Sequence, residues 1–346
     1  MRSDLLRAGS IALTVLTALP AGAHHSSAMY DEKQTITVNG VVTKYEWSNP
    51  HVYIYLEERK PGGAPVNWEI EGKPPSILHR LGWSRDTLHA GDSISVSGSP
   101  AKDASVKSML PTSIKRGDTV LLDQAEAFKT YSSASPAQSG VKAQGLDGGW
   151  VTVLAPETLE ALEEPEKLAL TAAGSAAYKR FDEKTMHPGL NCIPFTAPIF
   201  MITPDLKRIT VSQNVILIDG EFDGARRTVY MNDTTHQGAA PSIQGHSIGH
   251  WEGRTLVIDT VHFAPHVLGN GYGLPSGVGK HLVERMTPEA DGTTLTYHFE
   301  LTDPEFLAAP VIADLKWVFR PDLKYDPPKC SRENARRFAH PLRGGS

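Results

Sequence analysis

KHLVERMTPEADGTTLTYHFELT, residues 280–302, decides the architecture of this chain. Leu282, Glu284 and Met286 alternate with Val283 and Arg285. Past Asp291-Gly292, Tyr297, Phe299 and Leu301 alternate with Thr296, His298, Glu300 and Thr302. Two period-two runs joined by a turn signal read as an antiparallel strand pair. Working outward, similar strand patterns are read at 197–202, 207–212, 214–219, 225–231, 254–263 and 311–319. Pro204-Asp205 and Asp223-Gly224 punctuate them. Eight or so sequential strands without a long intervening helix predict a lipocalin-like, up-and-down antiparallel β-barrel over 185–346. A β-sandwich is the other arrangement the pattern allows.

Further upstream, 34–42, 52–56, 66–70 and 93–97 are short β-branched runs, separated by Asn39-Gly40, Pro61-Gly62-Gly63 and Ala90-Gly91-Asp92. Ile77, Leu78 and Leu81 give a short helical pattern between Pro75 and Trp83, and a last strand falls near 119–122. Several short strands and one small helix predict an OB-like small barrel over 24–125. Residues 131–147 are rich in Ser, Ala, Gly and Gln, and 157–181 have helix-forming composition. Residues 126–184 are therefore read as a linker and a short helical connector. The fold class is mostly β.

Residues 1–23 read as a signal peptide: Arg2 and Arg7, an apolar run from Ile11 to Leu19, then Ala21-Gly22-Ala23. Export to a periplasm or secretion is the expectation, with His24 as the processed N-terminus. A net charge of −5 argues against nucleic acid as a partner, and no later apolar run is long enough for a transmembrane helix. Cys192 and Cys330 flank the second β-rich region. An oxidising compartment predicts a disulfide between them, for which loop-closure entropy gives an upper figure on the order of 5 kcal/mol.

Two stretches carry resemblances. His24-His25-Ser26, then Gly40 to His51 (GVVTKYEWSNPH), Asn67-Trp68, Gly82-Trp83 and Ala90-Gly91-Asp92 resemble a family of secreted bacterial proteins of unknown function, over about 24–110. Cys192-Ile193-Pro194, Arg227 to Tyr230, His236, Gly245 to Thr260 (GHSIGHWEGRTLVIDT), Val283-Glu284-Arg285, Asp303-Pro304 and Cys330 with Glu333-Asn334 resemble a family of uncharacterised exported bacterial proteins. This chain has Asn232-Asp233-Thr234 where that family has Asp-Gly-Arg, so no role for that arginine carries over. Neither resemblance implies an established reaction.

Chemistry must come from the residues. Asp259 alternates with Val257 and Val261, which predicts a carboxylate at least partly buried on an apolar face. Glu284 shares its side with Leu282 and Met286. With His246 and His250 these two carboxylates form the candidate catalytic set, since a His–carboxylate pair in an enclosed pocket is the minimum for acid–base chemistry. Arg227, Tyr230, His236, Trp251, His281, Arg285 and His298 are the candidate ligand-binding residues. The competing reading is a buried structural network of charge pairs. Gly245 to Gly249 has nucleophile-elbow spacing around Ser247, but the strand context opposes an elbow.

His24, His25 and His51 form a candidate metal site, because a terminal amine and imidazoles suit copper. The leading expectation is an exported protein that binds a small, partly apolar molecule in the C-terminal barrel. No cofactor is required, and copper is the one to consider. A cofactor-independent lyase, isomerase or hydrolase and a periplasmic copper-binding protein are the alternatives.

Overall fold

The computed structural model describes residues 29–127, 140–153, 165–327 and 329–339. The leader, His24 and His25 lie outside the described residues, as do parts of the 126–184 connector. The chain builds two β-barrels.

The first barrel comprises β1 (Ile36–Glu46), β2 (Tyr53–Glu58), β3 (Val66–Glu71), helix α1 (Pro75–Arg80), β4 (Ser93–Pro100), β5 (Ser108–Arg116) and β6 (Thr119–Asp123). Its strands run β3-β2-β1-β4-β5-β6, and a parallel β3–β5 pairing closes five of them into the expected OB-like barrel. Alternation explains the core: Val38 and Val42 from β1, Ile54 and Leu56 from β2 and Ile94 and Val96 from β4 are buried, with Leu78 of α1 beneath them.

The second barrel is larger. Its strands are β7 (Gly148–Val153), β8 (Leu206–Val211), β9 (Val215–Gly220), β10 (Arg226–Tyr230), β11 (His246–Glu252), β12 (Thr255–Val261), β15 (His281–Pro288), β16 (Thr294–Thr302) and β17 (Val311–Phe319). A small two-stranded sheet, β13 (His266–Gly271) and β14 (Leu274–Ser276), stands apart from it. The closed order is β10-β11-β12-β15-β16-β17-β7-β8-β9. The quoted stretch is the β15–β16 pair, in register from His281 opposite Thr302 to Pro288 opposite Leu295.

Three features depart from the expected meander. β7 comes from the connector read as linker: Trp150 is fully buried and its indole N–H reaches the Leu146 carbonyl at 2.8 Å. The expected strand at 197–202 is instead helix α4 (Ile199–Ile202). Its consecutive Phe200, Met201 and Ile202 are all buried, and the Phe200 amide bonds the Thr196 carbonyl and the Ile202 amide the Pro198 carbonyl, as a helical turn requires. Finally, β10 and β11 pair in parallel, Val229 opposite Ser247, so residues 231–245 must carry the chain back along the barrel.

Connector helices α2 (Ala172–Arg180) and α3 (Glu183–Met186) precede α4, and α5 (Arg332–Ala339) follows the second barrel. Cys192 and Cys330 form a disulfide with an S–S length of 2.04 Å. It brings α5 onto the first barrel. Arg337 donates to Glu46 at 2.8 Å and lies over the Tyr53 and Tyr55 rings, while Asn334 bonds Ser48. The aromatic face of β2 is thus packed by the chain's own C-terminal helix.

Candidate functional site

The interior of the larger barrel is filled by side chains. Ile258, Leu282, Met286, Leu295, Tyr297 and Trp317 are fully buried and belong to one core cluster. Glu284 faces inward as its alternation predicts, and Arg227 meets it from β10. Arg227 Nη1 donates to Oε1 at 2.8 Å and Nη2 to Oε2 at 2.5 Å. Tyr297 donates its hydroxyl to Oε1 at 2.7 Å. Arg227 Nε donates to Ser247 at 3.0 Å and Nη2 to Thr260 at 2.7 Å, and Thr260 bonds Ser247 at 3.0 Å.

Burial works against the Arg227 charge, but Glu284 overrides it and holds the guanidinium pKa above its ordinary value. Burial, then Glu284, pushes the Tyr297 phenol well above its usual range. Arg227 and Glu284 thus face each other as a fully buried ion pair, and Ser247 joins it through Arg227 and Thr260.

Asp259 corrects the expectation of burial. Thr260, Ile258 and Leu256 take the inner side of β12, and the Asp259 side chain is 52% exposed outside. The run Leu256 to Val261 is mostly apolar on both sides, so alternation alone did not orient it.

The outer wall of the barrel brings several of the expected residues together. The parallel return 231–245 lies beside the outer face of β10 and leaves a cleft of about 680 Å³. Arg226, Thr228 and Tyr230 line it from β10. Asp233 and Gln244 line it from the return segment, and His246 from the start of β11. Gly245, at φ +68, makes the turn into β11; a Cβ there would lie 2.8 Å from both Thr260 and the Val261 carbonyl.

Imidazoles and carboxylates meet at the cleft edge. The His246 ring stacks on Tyr230 with centroids 5.0 Å apart. Its Nδ1 is 2.9 Å from Nδ1 of His236, and its Nε2 is 3.5 Å from Asp233. His236 Nε2 lies 3.9 Å from Asp259, whose other oxygen is 2.6 Å from Nε2 of His281. His262, at the left-handed φ of +56, donates Nε2–H to the His236 carbonyl at 3.1 Å.

Desolvation lowers the His236 pKa. Asp259 opposes that, and His246, His262 and His281 add to it. Behind the cleft-lining Arg226, burial would raise the Asp219 pKa, but Arg226 and Arg208 together hold the carboxyl below its usual range.

The other expected residues lie elsewhere. His250 and Arg285 both pair with Glu252 on the surface, and Trp251 is 45% exposed beside them. His298 pairs with Asp314 at 2.8 Å on the outside of β16. His51 contacts Glu71 at 2.7 Å in the first barrel. Among the described residues, no three His, Cys, Asp or Glu side chains are placed to hold a metal ion.

Sequence reasoning did not select Asp233, Thr228, Arg226 or Gln244 as site residues. Their signal is the alternation of Arg226, Thr228 and Tyr230 against buried Arg227 and Val229. Asp233 gives no signal until the parallel β10–β11 pairing is known.

DUF6152, a family of unknown function, matches residues 13–110, which takes in much of the first barrel. No curated protein matches the chain.

Proposed function

We propose that this chain is an exported protein that binds a small, partly apolar molecule at its second barrel, in the cleft between β10 and the return segment 231–245. The cleft itself carries this reading. Its volume of about 680 Å³ falls within the range typical of small-molecule sites. It offers Tyr230 and Thr228 as a contact floor with Arg226 and His246 as polar guides. Export is supported by the leader-like residues 1–23 and by the Cys192–Cys330 disulfide.

A small-fragment library screened by amide NMR tests the binding reading. Shifts concentrated at Thr228, Tyr230, Gly238 and Gly245, and abolished by filling the cleft with Thr228→Trp, are expected. Hits that leave those amides unmoved would sink it.

One observation favours a second reading. His246 lines the cleft while touching both Asp233 and His236, an arrangement that can take up and return a proton. A cofactor-independent lyase, isomerase or hydrolase would use His246 as its acid or base. His246→Asn would then abolish a bell-shaped pH–rate profile without unfolding the barrel. Turnover unchanged in that variant would reject the role.

A further inference from the structure

Residues 233–241 are tied to the barrel through imidazoles. Asp233 reaches His246, His236 reaches His246 and Asp259, and the His236 carbonyl accepts from His262. The other hydrogen bonds of the stretch, Gln237 N–H to Thr235 and Ala239 N–H to the His236 carbonyl, stay within it. His236 and Ala239 are its half-buried residues; the rest are exposed. Backbone bonds hold both ends: Met231 to Asn214 on one side, Ser242 to His262 and Ala264 on the other. A firmly held frame thus carries a span attached by rings that titrate.

The central contact joins Nδ1 to Nδ1 at 2.9 Å. It is a hydrogen bond only when one nitrogen holds the proton and the other keeps its lone pair. The chain Asp233–His246–His236–Asp259 has three positions for a proton. Two neutral rings supply two, and one added proton fills the third. A second added proton points two N–H groups at each other and puts like charges on touching rings.

We propose that His236 and His246 form a proton-operated latch, closed while at most one of the two rings is charged and opened when both are, so that residues 233–241 leave the cleft edge in acid.

The groups facing the pair come from every neighbouring element. Asp233 in the return segment and Asp259 on β12 attract the first proton. Asp259 is shared with His281 of β15, His262 follows β12, and Tyr230 of β10 stacks on His246 without a charge. The second proton therefore meets three other imidazoles and carboxylates already engaged. The lowered pKa of His236 places opening on the acid side of the ordinary imidazole range. The latch stands without any ligand; that its opening empties the cleft rests on the binding reading above.

A nitroxide on Gln237→Cys, in the full chain with its disulfide intact, tests this by electron paramagnetic resonance from pH 8 to pH 4. A broad, immobile spectrum that narrows in acid while circular dichroism stays constant is expected. In the His236→Asn, His246→Asn double variant the acid step should vanish. A wild-type spectrum that does not change with pH, a step that persists in the double variant, or a step that coincides with loss of the barrel signal would overturn the latch. Ring NMR of the unlabelled protein gives an independent check. His236 should titrate on the acid side of the ordinary imidazole range, and a His236 titration at or above that range would count against it.

Discussion

Thr260 and Asp259 are neighbours on β12, yet one belongs to the barrel's interior and the other to its outer wall. Inside, Arg227, Glu284, Tyr297, Ser247 and Thr260 form a closed set in which charges and hydroxyls face one another. Outside, Asp259, His281, His236, His246 and Asp233 form an open, partly exposed chain of imidazoles and carboxylates. The first arrangement consumes its polar groups in holding strands together. The second leaves groups that can still exchange protons or meet a solute. Polar residues in a barrel therefore mark a site by what remains unfilled around them rather than by their burial.

The largest effect should come from breaking the interior pair. Glu284→Ala leaves the Arg227 charge fully buried without its carboxylate, which costs about 3–5 kcal/mol. Urea unfolding should show it as a large fall in midpoint. Replacing both residues, as Arg227→Met with Glu284→Leu, should recover much of that loss, because no buried charge then remains. A double variant as unstable as the single one would show that the pair does more than neutralise itself.

The interior should also contribute to the pH dependence of stability. Lys280 is buried, its Nζ donating to the Gly269 carbonyl at 2.6 Å and to the Ala197 carbonyl at 2.5 Å, and burial brings its pKa down to about 7. The unfolded lysine titrates near 10.5, so above about pH 7 the unfolded chain holds the extra proton. Through this group, stability rises as pH rises from about 7 towards 10.5. Lys280→Met should lessen that slope in urea midpoints, with buried Lys207, brought down to about 8, supplying the part that remains. An unchanged slope would mean that the amine keeps its proton in the fold.

Tyr297→Phe is a smaller interior change. It removes one donor from Glu284 Oε1 while Arg227 stays in place, and should cost about 1–3 kcal/mol.

These two regions were not equally legible in the sequence. Alternation separates the two sides of β15 and β16, where Leu282, Met286, Tyr297 and Phe299 contrast with Arg285, His298 and Glu300, but either side could face inward until the barrel closes. It failed on β12, where both sides are largely apolar, and so sent Asp259 inward. Arg227 and Tyr230, both expected at a ligand site, lie on opposite sides of β10, one sealed in the core and one at the cleft. Ser247 and Thr260 carry no pattern of their own; only the fold shows that they complete the Arg227 shell. β7 was hidden by Gly148-Gly149 at the edge of a linker-like stretch, and α4 by its likeness to a short apolar strand. Asp233 was out of reach because the parallel β10–β11 return is a non-local event.

The smallest expected effect is the sharpest test of the outer wall. Asp259 bonds His281 at 2.6 Å, but the two side chains are 52% and 42% exposed. Solvent screens such a pair and two side chains must be ordered to make it, so its net worth is within about 1 kcal/mol. Asp259→Asn should leave the urea midpoint nearly where it was. The same substitution removes the carboxylate that favours protonation of His236, so the first proton should be held less tightly. The His236 ring should titrate at lower pH in the variant while stability hardly moves. A marked loss of stability would place Asp259 with the interior set after all, and an unmoved His236 titration would cut it out of the chain.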